Sequence, residues 1–149
     1  EWKWAAETMN KVLKAVPKNA KAAVHLCFGN YGGQSIQKGG WDKLLNYLNA
    51  LRVDHIVMEV AHRPPEELAV FKELRREIGF GLGVVDIKRT EIESPDAIAR
   101  AIERAEKILG RGRVKYVHPD CGFWMLKRNM ADGKIRALVG GRNLYEGRG

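Results

Sequence analysis

Short apolar runs alternate along this chain with stretches of helical period. AAVHLC (22–27), DHIVMEV (54–60), GLGVVDI (81–87) and VKYVH (114–118) have the length and β-branched content of buried strands. The stretches between them repeat their apolar positions every three or four residues. WKWAAETMNKVLKA (2–15) reads as a helix ended by Pro17. WDKLLNYLNAL (41–51) is amphipathic in the same way. PPEELAVFKELRREIG (64–79) opens on prolines and closes on glycine, the usual asymmetry of a helix. SPDAIARAIERAEKILG (94–110) places Ser94 as N-cap, Pro95 at the first helical position and Gly110 as the stop. ADGKIRALVGGRNLY (131–145) contains a last helix. FGNYGGQSIQKGG (28–40) is a glycine-rich loop.

Strands that alternate with helices at this spacing imply βαβ units and an α/β fold with a parallel sheet. Two architectures fit: a small doubly wound sheet, or four units of a (β/α)8 barrel. A whole barrel takes roughly 250 residues. At 149 residues, and with a helix ahead of its first strand, this chain would be the C-terminal half. With no linker or low-complexity stretch, residues 1–149 read as one unit of four βα repeats.

Composition narrows the classes. Hydrophobic residues make up 45% of the chain, enough for one core. No apolar run is long enough to span a membrane, and the N-terminal residues lack a signal-peptide core, so a cytoplasmic protein is expected. The net charge is +8. Its lysines and arginines are interleaved with glutamate in FKELRREIG and ARAIERAEKILGRGR, as on solvated helix faces. No zinc-finger, aromatic RNA-binding or basic-zipper pattern accompanies them, so nucleic acid is not an expected partner. Two cysteines make no disulfide framework; Cys27 and Cys121 read as free thiols or metal thiolates.

Both architectures gather function at the C-terminal ends of strands. The first strand ends in His25 and Cys27, which alternation puts on one face. The second ends in Glu59, the third in Asp86 and Lys88, and the fourth runs into His118, Pro119, Asp120 and Cys121. Singly each residue has a plain reading: a hydrogen-bonded core histidine, a paired glutamate, a capping cysteine. Together, with both cysteines at one mouth, they offer an imidazole nitrogen, two thiolates and a carboxylate, a donor set suited to tetrahedral Zn²⁺. His62 could orient a ligand carboxylate from behind. Asp86 and Asp120 need partners at their turns. Trp41 and Trp124 read as packing residues.

H-x-C at a strand end, then I-V-M-E, G-L-G-V-V-D-I and H-P-D-C-G, resembles the C-terminal catalytic barrel of cobalamin-independent methionine synthase and its relatives, over nearly the whole chain. The resemblance implies the barrel rather than the open sheet. It implies a zinc ion held by His25, Cys27, Glu59 and Cys121, and methyl transfer to a substrate thiol, homocysteine foremost. It also implies a methyl or alkyl donor as second substrate. Epoxyalkane:coenzyme M transferases are relatives of the same kind and supply an alternative reading. A basic zinc-binding module without catalysis is another. In the resembled enzymes a histidine assigned to proton delivery follows the third strand; here DIKRT puts Lys88 there, as proton donor or fixed cation beside Asp86. The long glycine-rich loop and the ending LVGGRNLYEGRG depart from the pattern too. The family's segment for the amino-acid end of homocysteine lies in the first half of the barrel, so the expected partner is that half or a second copy of this one.

Overall fold

A computed structural model describes residues 1–148. The four strands form one parallel sheet in the order β1 (Ala23–Leu26), β2 (His55–Met58), β3 (Gly79–Val85), β4 (Val114–Pro119). The helices are α1 (Trp2–Leu13), α2 (Leu45–Ala50), α3 (Pro95–Leu109) and α4 (Arg128–Tyr145). No helix among the described residues is long and apolar enough to cross a membrane.

One face of the sheet carries Val24, Ile56, Met58, Phe80, Leu82 and Val84 into a core shared with Leu48, Phe71, Ile98 and Ile102. The other face is the polar one. β3 runs through the middle of the sheet with every residue buried. Its glycines make close approach possible: a Cβ at Gly81 would stand 2.7 Å from the Ile56 carbonyl oxygen, and one at Gly83 2.8 Å from that of Met58. The glycine stripe leaves space on the polar face, filled at Gly81 by the His118 ring and at Gly83 by the Asp120 carboxylate.

Helix α3 starts as its sequence dictates. The Ser94 hydroxyl accepts from the Ala97 N–H at 3.2 Å, Pro95 follows, and Gly110 takes φ +102° at the end. The stretch 64–79 departs from expectation. Only Pro65–Glu73 coils, as 3₁₀ turns, and Leu74 turns extended. The Asn49 side chain explains the stop, because it accepts from the Arg75 N–H at 2.8 Å and donates to the Glu73 carbonyl at 3.0 Å. Those backbone groups are therefore unavailable to a continuing helix. Gly79 opens β3 instead of closing a helix, so that strand starts earlier than 81.

The glycine-rich loop after β1 is folded. Tyr31 and Gln34 pair across Gly32 and Gly33, both at positive φ, as a two-residue hairpin turn requires. The Phe28 carbonyl accepts from Ile36 and Gln37 and ties the loop back. Trp41 is buried edge-on against Phe28 at 4.5 Å, the packing role expected of it. Trp124 has no such role: it is 68% exposed.

Candidate metal centre

The ligating atoms of His25, Cys27 and Cys121 all lie within 4.8 Å of one another. His25 belongs to β1 and Cys27 follows it, whereas Cys121 follows β4, and these are the two outer strands of the sheet. In a flat sheet three strand spacings would hold those strands about 14 Å apart. The sulfurs can meet only because the sheet curls towards its polar face, as a barrel wall does. The loops reinforce that closure: Asn30 Nδ2 donates to the Gly122 carbonyl across the same mouth.

His25 is held with one ring nitrogen free. Its Nδ1–H donates to the Val57 carbonyl at 3.0 Å, which leaves the lone pair on Nε2. Burial pushes its pKa below the ordinary histidine value, outweighing the bond to Val57, so the ring is neutral at neutral pH. Burial pushes the Cys27 thiol up, and the neighbouring Cys121 and Glu59 push it further. Two thiols side by side, next to a neutral imidazole, have the chemistry of a soft divalent-cation site. The residues fit such an ion.

Glu59 sits at the same mouth, fully buried, with its carboxylate turned to its neighbours. Oε2 accepts the Phe28 N–H and Oε1 pairs with the Lys88 ammonium. His62 Nδ1 approaches Oε1 at 3.3 Å and Asp120 Oδ2 at 3.1 Å, so the three residues form a second group. Facing two carboxylates, His62 Nδ1 carries the proton. Of the four expected ligands, three converge and the fourth lies alongside, held by Lys88 and His62.

Asp120 anchors this arrangement. Oδ1 accepts from the N–H groups of Val60 and Ala61, both at 2.9 Å, and Oδ2 accepts from the His62 N–H at 3.2 Å. The carboxylate after β4 thereby fixes the turn after β2, and with it Glu59 on one side and Cys121 on the other. Asp86 works closer to home: its Oδ1 accepts the Lys88 N–H at 2.8 Å and shapes the turn that aims Lys88 inward. A cleft of about 620 Å³ opens beside His62, lined also by Arg63, Asp86 and Arg89.

Sequence reading missed Lys134 and Glu93, which hold the loop carrying Asp86 and Lys88. The signal was present: α4 buries Ala131, Lys134, Ala137 and Gly141, and a lysine in a stripe of small packing residues demands a partner.

A curled parallel sheet with thiol and imidazole donors at its C-terminal edge defines a barrel-type α/β scaffold with a candidate metal site. Comparison with known proteins makes it specific. The chain belongs to the family described as cobalamin-independent synthase, catalytic domain, whose model matches residues 1–141. It is 32% identical over 138 residues to a methionine synthase of Thermococcus kodakarensis, and 31% identical over 144 residues to one of Sulfurisphaera tokodaii. Those matches take in 92% and 97% of this chain but 37% and 38% of the relatives, so the chain spans little more than a third of their length. A solved B12-independent methionine synthase from Shewanella sp. W3-18-1, in complex with selenomethionine, superposes with a TM-score of 0.77. That likeness, at 20% identity, covers 97% of this chain and 43% of the other, and identifies the sheet as part of a TIM-type barrel.

Proposed function

We propose that this chain supplies the zinc-binding part of a methyltransferase that moves a methyl group to the thiol of homocysteine. The observation that carries the reading is the convergence of His25, Cys27 and Cys121 from opposite edges of the sheet, in a chain of this family. His25, Cys27 and Cys121 would hold the ion, with Glu59 beside them as the fourth donor. Bound there, zinc lowers the pKa of a coordinated thiol and keeps its sulfur nucleophilic at neutral pH.

The chain's own residues prepare that surface. Val57 fixes the His25 tautomer. Asp120 and His62 hold the turn after β2 and so fix Glu59 alongside the three donors. Lys88 neutralises Glu59 and places a cation at the mouth, where an anionic substrate group or a departing base would meet it. Asp86 keeps Lys88 aimed inward through the backbone of the turn. The remaining barrel wall, the amino-acid end of the homocysteine site and the methyl donor's site would come from the other two-thirds of a protein like the relatives.

Metal content tests the reading directly. The chain should bind about one zinc per molecule. A cobalt-substituted sample should change its thiolate-to-metal absorption when homocysteine is added. Cobalt that binds but ignores homocysteine would reduce the site to a structural one, and no binding with both cysteines intact would sink the proposal.

A further inference from the structure

Lys134 is a fully buried lysine on α4, outside the candidate centre. Its ammonium is surrounded by oxygens. It donates to the Asp86 carbonyl at 2.9 Å, to the Glu91 carbonyl at 2.5 Å, and to both oxygens of Glu93 at 3.0 Å. All four acceptors belong to the loop between β3 and α3. A buried ammonium without partners would be prohibitively costly, so the cage and the lysine depend on each other.

The cage extends towards the metal centre. Glu93 Oε1 also accepts the Asp86 N–H at 2.9 Å. Asp86 Oδ1 accepts the Lys88 N–H at 2.8 Å, and the Lys88 ammonium pairs with Glu59. Side chain and backbone therefore run without a gap from α4 to the carboxylate beside the two sulfurs. Lys134 touches neither the donors nor the cleft, and its role is exercised through Lys88.

We propose that Lys134, through Glu93, is the positioning residue of the site: its ammonium clamps the loop that holds Lys88 against Glu59. The clamp rests on the reading of Lys88 and Glu59 as site residues. It also explains why a lysine occupies the packing stripe of α4, where small residues flank it. Without the ammonium, two loop carbonyls and the Glu93 carboxylate would face an apolar wall, and the loop would open.

The test reads Lys88 itself. Lys88 is 10% exposed and ion-paired, so an acylating reagent should label it slowly. In Lys134→Met, which keeps the volume and removes the charge, labelling of Lys88 measured by peptide mass spectrometry should rise about ten-fold as the loop opens locally. Glu93→Gln, which keeps the shape, should give a smaller rise and serves if Lys134→Met does not fold. Leu48→Ala destabilises the core from α2, away from this loop, and should leave Lys88 protected. Unchanged labelling in both loop variants, or an equal rise in Leu48→Ala, would overturn the clamp. The absorption of bound cobalt should also shift in Glu93→Gln, because Glu59 loses its fixed partner; an unshifted spectrum with Lys88 exposed would detach the clamp from the centre and refute it as a positioning device. If wild-type protein binds no cobalt while the labelling contrast holds, the metal reading fails and the clamp on Lys88 stands.

Discussion

Gly83 and Asp120 should behave as one unit. A Cβ at Gly83 would fall on Oδ1 of Asp120, the oxygen that accepts the Val60 and Ala61 N–H groups, and would stand 2.8 Å from the Met58 carbonyl oxygen. In Asp120→Ala three backbone N–H groups lose a charged acceptor, and so does the His62 ring, which keeps Glu59 as its partner. Such backbone bonds are worth about 1.5–3 kcal/mol each, and two of the three are partly solvated and recover some of that from water, so a loss of about 4 kcal/mol is expected. Gly83→Ala displaces the same carboxylate and adds a backbone contact with Met58, for a similar loss of about 4 kcal/mol. Once Asp120 is gone, only the Met58 contact remains for the new methyl to strain. The double variant should then lose about 5 kcal/mol rather than 8, a coupling of about 3 kcal/mol. Denaturant unfolding of the four proteins at constant m-value measures this cycle. Additivity within about 0.5 kcal/mol would refute the assignment of the glycine to making room for the carboxylate.

Other expectations follow from single sites. Cys27→Ser and Cys121→Ser should each weaken zinc binding by at least about ten-fold in competition with a chromophoric chelator, whereas Lys134→Met should weaken it less. Ser94→Ala removes the side-chain cap of α3 and should cost about 1 kcal/mol in urea unfolding, with Ser94→Asp close to wild type. Asp54 accepts the Ala22 N–H at 2.7 Å, which holds its carboxyl below the usual aspartate range, with Lys21 contributing. Its folded pKa is depressed, so its contribution is complete above the unfolded value and disappears as pH falls through the folded value. The stability difference between wild type and Asp54→Asn should therefore be largest near neutral pH and vanish in acid; a difference that grows as pH falls would contradict the assignment.

How far the sequence reached depended on where each signal resides. Strands and their parallel order were legible because apolar runs and helical periods are local and alternate. So was α3, whose Ser94, Pro95 and Gly110 each act within one helical turn. The stretch after Pro65 was misread because its 3.6-residue pattern is real; Asn49, on another element, takes the backbone groups that would have continued the helix. Three expected metal donors could be grouped because a parallel sheet puts all its strand ends on one edge, and the barrel curl brings the outer ones together. The state of Glu59 could not, since it depends on a lysine after β3, a histidine after β2 and a backbone N–H after β1. Lys134 escaped notice because a lysine in a basic helix is ordinarily solvated. Only the burial of its neighbours at three- and four-residue spacing marks it as different.

The placement of the donors ties metal to the fold itself. Cys27 follows one outer strand and Cys121 the other, so an ion joining them would close the arc of the sheet at its open mouth. In the unfolded chain no such set exists, because the two cysteines lie in loops separated by the whole βαβ succession. Metal should therefore bind the folded form with strong preference and stabilise it by about 2.7 kcal/mol when free zinc is a hundred times its dissociation constant. The hydrogen bonds it would reinforce are Asn30 to Gly122 at 3.4 Å and the Asp120 bonds that reach only as far as β2. Zinc should accordingly raise the melting temperature of wild type and leave Cys121→Ser much less affected. Hydrogen exchange should slow most at the turns after β1 and β4, with little change at the middle of β3, which is already buried throughout. Uniform slowing with no excess at those two turns would mean that the ion binds elsewhere, and that the thiols meet for packing alone.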